Sequence, residues 1–281
     1  CPDCDTALSY HKDTHHYQCH TCGYQQHDNK CPKCHHRASL NKGLGTQRLE
    51  EIVCQLFPQA KVSRMDADST RLKNAHFKIL DDFSSHRTDI LIGTQMIAKG
   101  LDIPNVTLVA ILKADSALYH EDFSSSEQAF SLILQASGRA GRHDKQGHVI
   151  IQSFSSDHYA LQYALYQNYL GFFNQEMKYR QSGQYPPYVY MTEIMFSHLN
   201  KDKTIETADL FSVEYRKIES LKVLGPVAIR KLAKIERVRV VVKSKNFDEM
   251  IQTLTTIHSQ LENKLKGVKV VYNVKPLHLT T

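Results

Sequence analysis

No stretch of the chain approaches the roughly 20 consecutive apolar residues that a spanning helix needs, which argues against a helical membrane protein. No basic-then-apolar leader opens it, and it begins at Cys1 rather than Met, so it reads as a piece of something longer. A phosphate cradle is also missing. No G-x-x-x-x-G-K-S/T loop occurs anywhere, nor an acidic motif to hold Mg2+ after a strand, so the chain alone is expected to hydrolyse no nucleotide triphosphate. Glycine and proline are modest, at 12 and 8 of 281 residues, while 41% of residues are hydrophobic and 23% charged. That balance excludes collagen-like and disordered chains and leaves material for about two domains. The formal charge of +6 is unevenly placed. Residues 1–40 carry four basic and four acidic groups, residues 41–154 thirteen of each, and residues 155–281 eighteen basic against twelve acidic.

What is abundant is cysteine and histidine at the start: six of seven cysteines lie within the first 34 residues, and seven of sixteen histidines within the first 36. The cysteines come as Cys1-Pro-Asp-Cys4, Cys19-His-Thr-Cys22 and Cys31-Pro-Lys-Cys34. A C-x2-C turn sets two thiolates at metal-ligand spacing, and a second such turn completes a tetrahedron around zinc. The interval between Cys4 and Cys19 holds alternating segments, Leu8–His11 and His16–Gln18, that predict a short hairpin. Gly23 follows the second pair, where a tight knuckle requires positive φ. Four thiolates on Zn2+ supply about 10–16 kcal/mol in zinc-finger peptides, most of what so small a unit needs to fold. A disulfide-rich secreted module is the alternative, but C-x2-C pairs would close strained loops and the rest of the chain reads as an intracellular enzyme. Cys31 and Cys34 form a third half-site, either completed by His27, His35 or His36, or simply part of a polar surface. With one complete ligand set, about one tight zinc per chain is expected. Cys54 sits in an apolar helical pattern and reads as buried.

From Asn41 the pattern becomes α/β. Leu49, Ile52, Val53, Leu56 and Phe57 predict a helix over Gln47–Phe57, stopped by Pro58. Lys61–Met65, Asp89–Gly93, Val106–Leu112 and His148–Phe154 read as strands, with helices over Ala75–Phe83 and Ser126–Ser137. Strands alternating with helices predict a buried parallel sheet whose ligands gather at the carboxyl ends of the strands. Gly93-Thr94-Gln95 and Lys99-Gly100-Leu101-Asp102 lie at such an end. In Gln135-Ala-Ser-Gly138-Arg139-Ala-Gly141-Arg142, the spacing places Gln135, Arg139 and Arg142 on one helical face, where guanidinium groups can neutralise charge on a transferred phosphoryl group.

These segments carry a resemblance. Gly93–Pro104 looks like motif V of superfamily 2 helicases, Gln135–Arg142 like their motif VI, and Gly43–Thr46, Phe57-Pro58 and Arg64–Asp68 like their motif IV region. With the cysteine pairs just upstream, the chain resembles the carboxy-terminal portion of primosomal replication-restart helicases of the PriA family. The resemblance implies a RecA-like second helicase lobe. It also implies a zinc module of four nested C-x2-C pairs, in which Cys1, Cys4, Cys19 and Cys22 match the inner pairs, and Cys31 and Cys34 match the last outer pair. The matching first outer pair would lie before Cys1. In the same way Arg142 and Arg139 match the arginines that meet the γ-phosphate of ATP held mainly by the first lobe, Arg142 being the finger. Thr94 and Gly100 match positions linking nucleotide to DNA, and Asp102 a position that reaches the ribose. Ser137 and Ser124 stand where the family usually has Ala and Arg, so a charge contact at Ser124 is not carried over.

Residues 154–190 hold eleven of the twenty-five aromatics, and Tyr159, Tyr163, Tyr166 and Tyr169 recur at helical spacing, which predicts packing against the lobe rather than base stacking. Pro186-Pro187 marks a boundary. Beyond it come two strand–helix units, Tyr190–Ser197 with Thr204–Leu221 and Val238–Val242 with Phe247–Leu265, then the strand Val268–Val274; Val223–Gly225 is a shorter segment. Residues 216–245 carry ten Lys/Arg against two acids. Alternation predicts Arg237, Arg239, Lys243 and Lys245 on one strand face as a phosphate-binding surface, with Val238, Val240 and Val242 on the other.

The expected fold class is therefore α/β: a zinc-ribbon module over 1–40, a RecA-like second helicase lobe over 41–155, an aromatic helical link over 156–188 and a small α+β DNA-binding domain over 189–281. The resemblance implies the C-terminal half of an ATP- and Mg2+-dependent 3′→5′ DNA helicase that restarts replication at branched forks, cytoplasmic in bacteria. It implies two zinc ions in the intact protein, and partners among branched and single-stranded DNA, single-stranded-DNA-binding protein and helicase-loading proteins, with no membrane. The rival expectations are a non-catalytic zinc-ribbon DNA adaptor and another superfamily 2 translocase of the RecG type.

Overall fold

The computed structural model describes residues 1–11, 16–27, 30, 36, 45–66, 69–70, 75–97, 106–119, 122–141 and 146–280. The chain divides into two compact units, Cys1–Ala38 with Met177–Thr281, and Ser39–Glu176. In the first, three short antiparallel strands form the ribbon: β1 (Ser9–His11), β2 (His16–Gln18) and β3 (Gln25–Gln26). Tyr10 and Tyr17 pair across β1 and β2 with ring centroids 4.9 Å apart, a cross-strand aromatic contact of the kind that sets register.

The second unit begins with α1 (Thr46–Leu56), β4 (Val62–Met65), α2 (Ala75–Ser84) and β5 (Ile90–Gly93), with β4 and β5 paired in parallel. It continues through β6 (Leu108–Ile111), α3 (Asp115–Leu118), α4 (Ser125–Ser137), β7 (His148–Ile151) and α5 (Tyr159–Leu165). Helix α6 (Tyr169–Ser182) follows, and its residues up to Glu176 belong to this unit. Strands β6 and β7 are parallel, and their helix-facing side meets a core of Leu118, Phe130, Ile133, Leu161 and Phe172. Phe130 and Phe172 stack with centroids 4.0 Å apart. A sheet covered on both faces was expected. Among the described residues it consists of two strand pairs, and Leu108 and Ile150 on the outer face of β6–β7 are 55% and 58% exposed.

The tyrosine stripe is also interrupted. Tyr159 and Tyr163 pack on this core, but the helix breaks after Leu165, where Gln167 takes φ 50° and the Asn168 carboxamide accepts from Gly171 N–H to start α6. Tyr166 and Tyr169, beyond the break, are 79% and 58% exposed.

The carboxy-terminal part is β8 (Tyr190–His198), α7 (Lys201–Arg216), β9 (Lys222–Leu232), β10 (Ile235–Ser244), α8 (Phe247–Leu261) and β11 (Lys269–Val274). The sheet runs β11-β8-β10-β9, antiparallel throughout. This β-α-β-β-α-β order is the split βαβ of ferredoxin-like domains. Asn200 and Asn246 cap α7 and α8 by accepting from Lys203 and Glu249 N–H. Ile194, Phe196, Phe211, Tyr215, Val238, Val240 and Val242 fill the space between sheet and helices. The short segment Val223–Gly225 belongs to one arm of a long hairpin, β9–β10.

Candidate zinc, nucleotide and nucleic-acid sites

The two cysteine knuckles repeat one geometry. Asp5 N–H donates to Cys1 C=O at 3.0 Å and Gly23 N–H to Cys19 C=O at 2.9 Å, and the residues that close the turns, Asp5 and Gly23, take φ 50° and 78°. The sulfurs of Cys1, Cys4, Cys19 and Cys22 all lie within 4.8 Å of one another, Cys1 and Cys22 at 3.6 Å. A tetrahedron of zinc–sulfur bonds of about 2.3 Å has edges of about 3.8 Å, so the donor set fits zinc. All four are free thiols, and their Sγ atoms stand in for zinc-bound thiolates. Cys4 and Cys19 are completely buried. The Thr6 hydroxyl, 3.4 Å from Cys19 Sγ, and the N–H groups of Cys22 and Thr21 outweigh burial and draw the Cys19 thiol down to about 6. Burial pushes the Cys4 thiol up, opposed chiefly by the N–H of Ala233. Thr6 was not foreseen as part of this site. Cys31 and Cys34 lie outside the described residues.

In the lobe, Gly93 is the last residue of β5, and a Cβ there would stand 2.6 Å from Met65 O, so the close approach of β4 requires glycine. Exposed Thr94 follows, and Ile97 N–H donates to its carbonyl in a tight turn over Gln95–Ile97. Gly100 and Asp102 lie outside the described residues. The expected single helical face is not formed by Gln135 and Arg139, which do not share a helix. Helix α4 stops at Ser137, because Gly138 and Gly141 are poor helix formers and Gly141 adopts φ 74°. Gln135 is exposed on its last turn, while half-buried Arg139 sits in the turn beyond. Arg142 lies outside the described residues. Gly141 N–H donates to Val106 C=O at 3.0 Å, which ties this turn to the entry of β6. Gly147 is the unforeseen residue here: any Cβ on it would collide with the backbone of Ala140 and Gly141.

Two carboxylates organise the carboxyl ends of the strands. Asp66, after β4, accepts from the Thr46 hydroxyl at 2.5 Å, from Arg64 at 2.5 Å and from Ser69 N–H at 2.9 Å. Burial favours its neutral form, but these hydrogen bonds and the Arg64 charge prevail and hold its pKa below the usual carboxylate value. Asp115, after β6, accepts from the Ser153 hydroxyl and from the N–H groups of Phe154 and Ser155. Burial again opposes, yet its pKa is also lowered. The signal for both was an Asp one or a few residues past a strand.

On β10 the two-faced pattern holds, with Val238, Val240 and Val242 in the core, but the opposite face is not a bare row of cations. Lys243 is 3% exposed, its Nζ 3.4 Å over the Tyr185 ring and 3.3 Å from Gly183 C=O. Burial, then the charge of Lys222, lowers its pKa to about 8. Lys243 is therefore not placed to meet a phosphate, because residues 183–185 cover that part of the sheet. Arg239 donates to Thr280 C=O and Arg237 to Arg230 C=O, each at 2.7 Å. Lys245 is exposed just past the strand.

A thiolate tetrad on a ribbon, an α/β lobe with a Gly-Arg turn at a helix end, and a split βαβ domain follow one another along the chain as a metal-ligand module and two α/β parts of a helicase-type protein. Three family models match in that order. They are the PriA DNA helicase Cys-rich region over residues 1–26, the helicase conserved C-terminal domain over 37–144, and the primosomal protein N C-terminal domain over 181–277. The chain belongs to the replication restart protein PriA family, and corresponds to its carboxy-terminal part. It is 40% identical to that protein of Bacillus subtilis strain 168 over 98% of this chain and 35% of the relative. It is 40% identical to the Chlamydia pneumoniae protein over 81% and 31%, and 38% identical to that of Haemophilus influenzae over 81% and 32%. The chain thus spans about a third of the length of these curated relatives, where a half was expected. Among the described residues no helix is long and apolar enough to cross a membrane.

Proposed function

We propose that this chain is the zinc-bearing, phosphate-sensing and DNA-engaging part of an ATP-driven 3′→5′ helicase that recognises branched or stalled forks and restarts replication in the bacterial cytoplasm. The observation that carries the reading is the order of the three matched regions along one chain, with the thiolate tetrad assembled at its start. In this reading ATP with Mg2+ is held mainly by a first lobe, and when bound supplies the phosphoryl bond whose cleavage drives movement. Arg139, with Arg142, neutralises charge on the terminal phosphate from the glycine-bracketed turn, and Gln135 orients that turn's helix end. Thr94 and Gly100 link the nucleotide to the DNA track, and Asp102 reaches the ribose. The module boundaries proposed are 1–40, 41–155, 156–188 and 189–281. Cys1, Cys4, Cys19 and Cys22 hold one zinc, and Cys31 with Cys34 contribute to a second in the full-length protein. Single-stranded-DNA-binding protein and helicase-loading proteins are the proposed partners. Arg237, Arg239 and Lys245 remain the proposed phosphate contacts.

The test is DNA-stimulated ATP turnover by the full-length protein carrying Arg139→Ala or Arg142→Ala. A finger arginine is worth about 10³–10⁵ in rate, so a loss of at least 10²-fold with fork-DNA affinity unchanged within a few-fold is expected. Wild-type turnover in both variants would refute the assignment. A non-catalytic adaptor predicts no turnover even in the unaltered full-length protein.

A further inference from the structure

The turn of the β9–β10 hairpin has two residues, Ala233 and Lys234, between the paired Leu232 and Ile235. Both take positive φ, 48° and 73°, as a two-residue hairpin turn requires, yet neither is the Asn or Gly that such a turn favours. Non-glycine residues in this region persist where surrounding structure holds them. What holds them is the first cysteine knuckle. Ala233 N–H donates to Cys4 Sγ at 3.2 Å and Lys234 N–H to Asp3 C=O at 2.7 Å. Beside them Lys231 Nζ donates to Pro2 C=O at 3.3 Å and lies 3.6 Å from the Asp5 carboxylate.

Cys4 is completely buried. A metal-bound thiolate there carries negative charge with little water to solvate it, so an aimed N–H dipole is a strong partner, and outer-sphere donors of this type commonly set metal affinity. We propose that the β9–β10 turn is an outer-sphere part of the zinc centre, 229 residues from the thiolate it supports, so that metal occupancy and the order of the turn rise and fall together. The hairpin that carries Arg237 and Arg239 is thereby anchored through the metal. The inference rests on the reading of the four cysteines as a zinc site.

Hydrogen exchange on the full chain tests it, with zinc quantified in the same samples before and after chelation. Amides of Ala233 and Lys234 are expected to lose protection at least tenfold when zinc is removed, while those of β8 and β11 keep theirs. Equal exchange of the turn amides in both states would overturn the proposal. So would loss of protection throughout β8–β11, since the turn alone could not carry so broad an effect. A sample that never holds zinc would instead refute the metal reading itself. As a second measurement, Ala233→Pro, which lacks the N–H and cannot take the positive φ that brings the turn to Cys4, is expected to release zinc to a chromogenic chelator at least fivefold faster. Ala233→Gly, which keeps it, should release within twofold of the unaltered chain. Release from Ala233→Pro at the unaltered rate would also overturn the proposal.

Discussion

Asp66 is 6% exposed and gathers three elements, α1 through Thr46, β4 through Arg64, and the turn at Ser69–Thr70. Removing a carboxylate that satisfies several donors strands them, and Asp66→Ala is expected to lower stability by roughly 1–3 kcal/mol in urea unfolding. Its pKa is depressed in the folded state, so its contribution is complete above the ordinary carboxylate value near pH 4 and disappears as pH falls through the lower folded value. The stability gap between the unaltered chain and Asp66→Ala should therefore be constant from pH 5 to 8 and narrow below pH 4. A gap that does not depend on pH would contradict this account of Asp66.

At the scale of the element, β10 shows how neighbours override a pattern. Alternation along Arg237–Lys245 separates the valines from the cations, but Tyr185 and the Gly183 carbonyl lie over Lys243, and the Thr280 carbonyl holds Arg239. Lys243→Met is expected to leave the salt dependence of DNA binding unchanged, whereas Lys245→Gln should reduce the slope of log K against log salt by about one. An equal effect of both would restore Lys243 to the DNA surface. The Lys243 pKa of about 8 also has a sign. The unfolded chain binds its proton more tightly, so stability rises with pH between about 8 and 10.5, and Lys243→Met should remove that part of the rise.

At the scale of the molecule, the 281-residue chain holds one assembled thiolate tetrad among its described residues and no phosphate loop in its sequence. Metal analysis is expected to give about one tight zinc per chain; two would mean that Cys31 and Cys34 find further ligands. Purified alone, the chain is expected to show no DNA-stimulated ATP hydrolysis, and measurable turnover would sink that expectation.

The zinc tetrad was legible because C-x2-C spacing is a local geometric constraint: two short turns and one hairpin bring four sulfurs together with little help from the rest of the chain. The α/β order of the lobe, and the helices and strands of the final domain other than β9, were legible for a similar reason, since periodicity reports which side of an element is buried. Three features required tertiary structure. Helix α4 ends before Arg139, where a glycine turn packs on Gly147 and Gly141 bonds to Val106, a partner far away in the sequence that helical periodicity does not report. Lys243 is buried by residues that sequence spacing cannot place above it. Ala233 and Lys234, in an unmarked stretch between two strands, meet the Cys4 knuckle at the far end of the chain. Sequence determined the chemistry that is local, the ligands and the alternation. The tertiary structure decided which charges remain available and which backbone groups reach the metal site, because both depend on contacts between residues far apart in the chain.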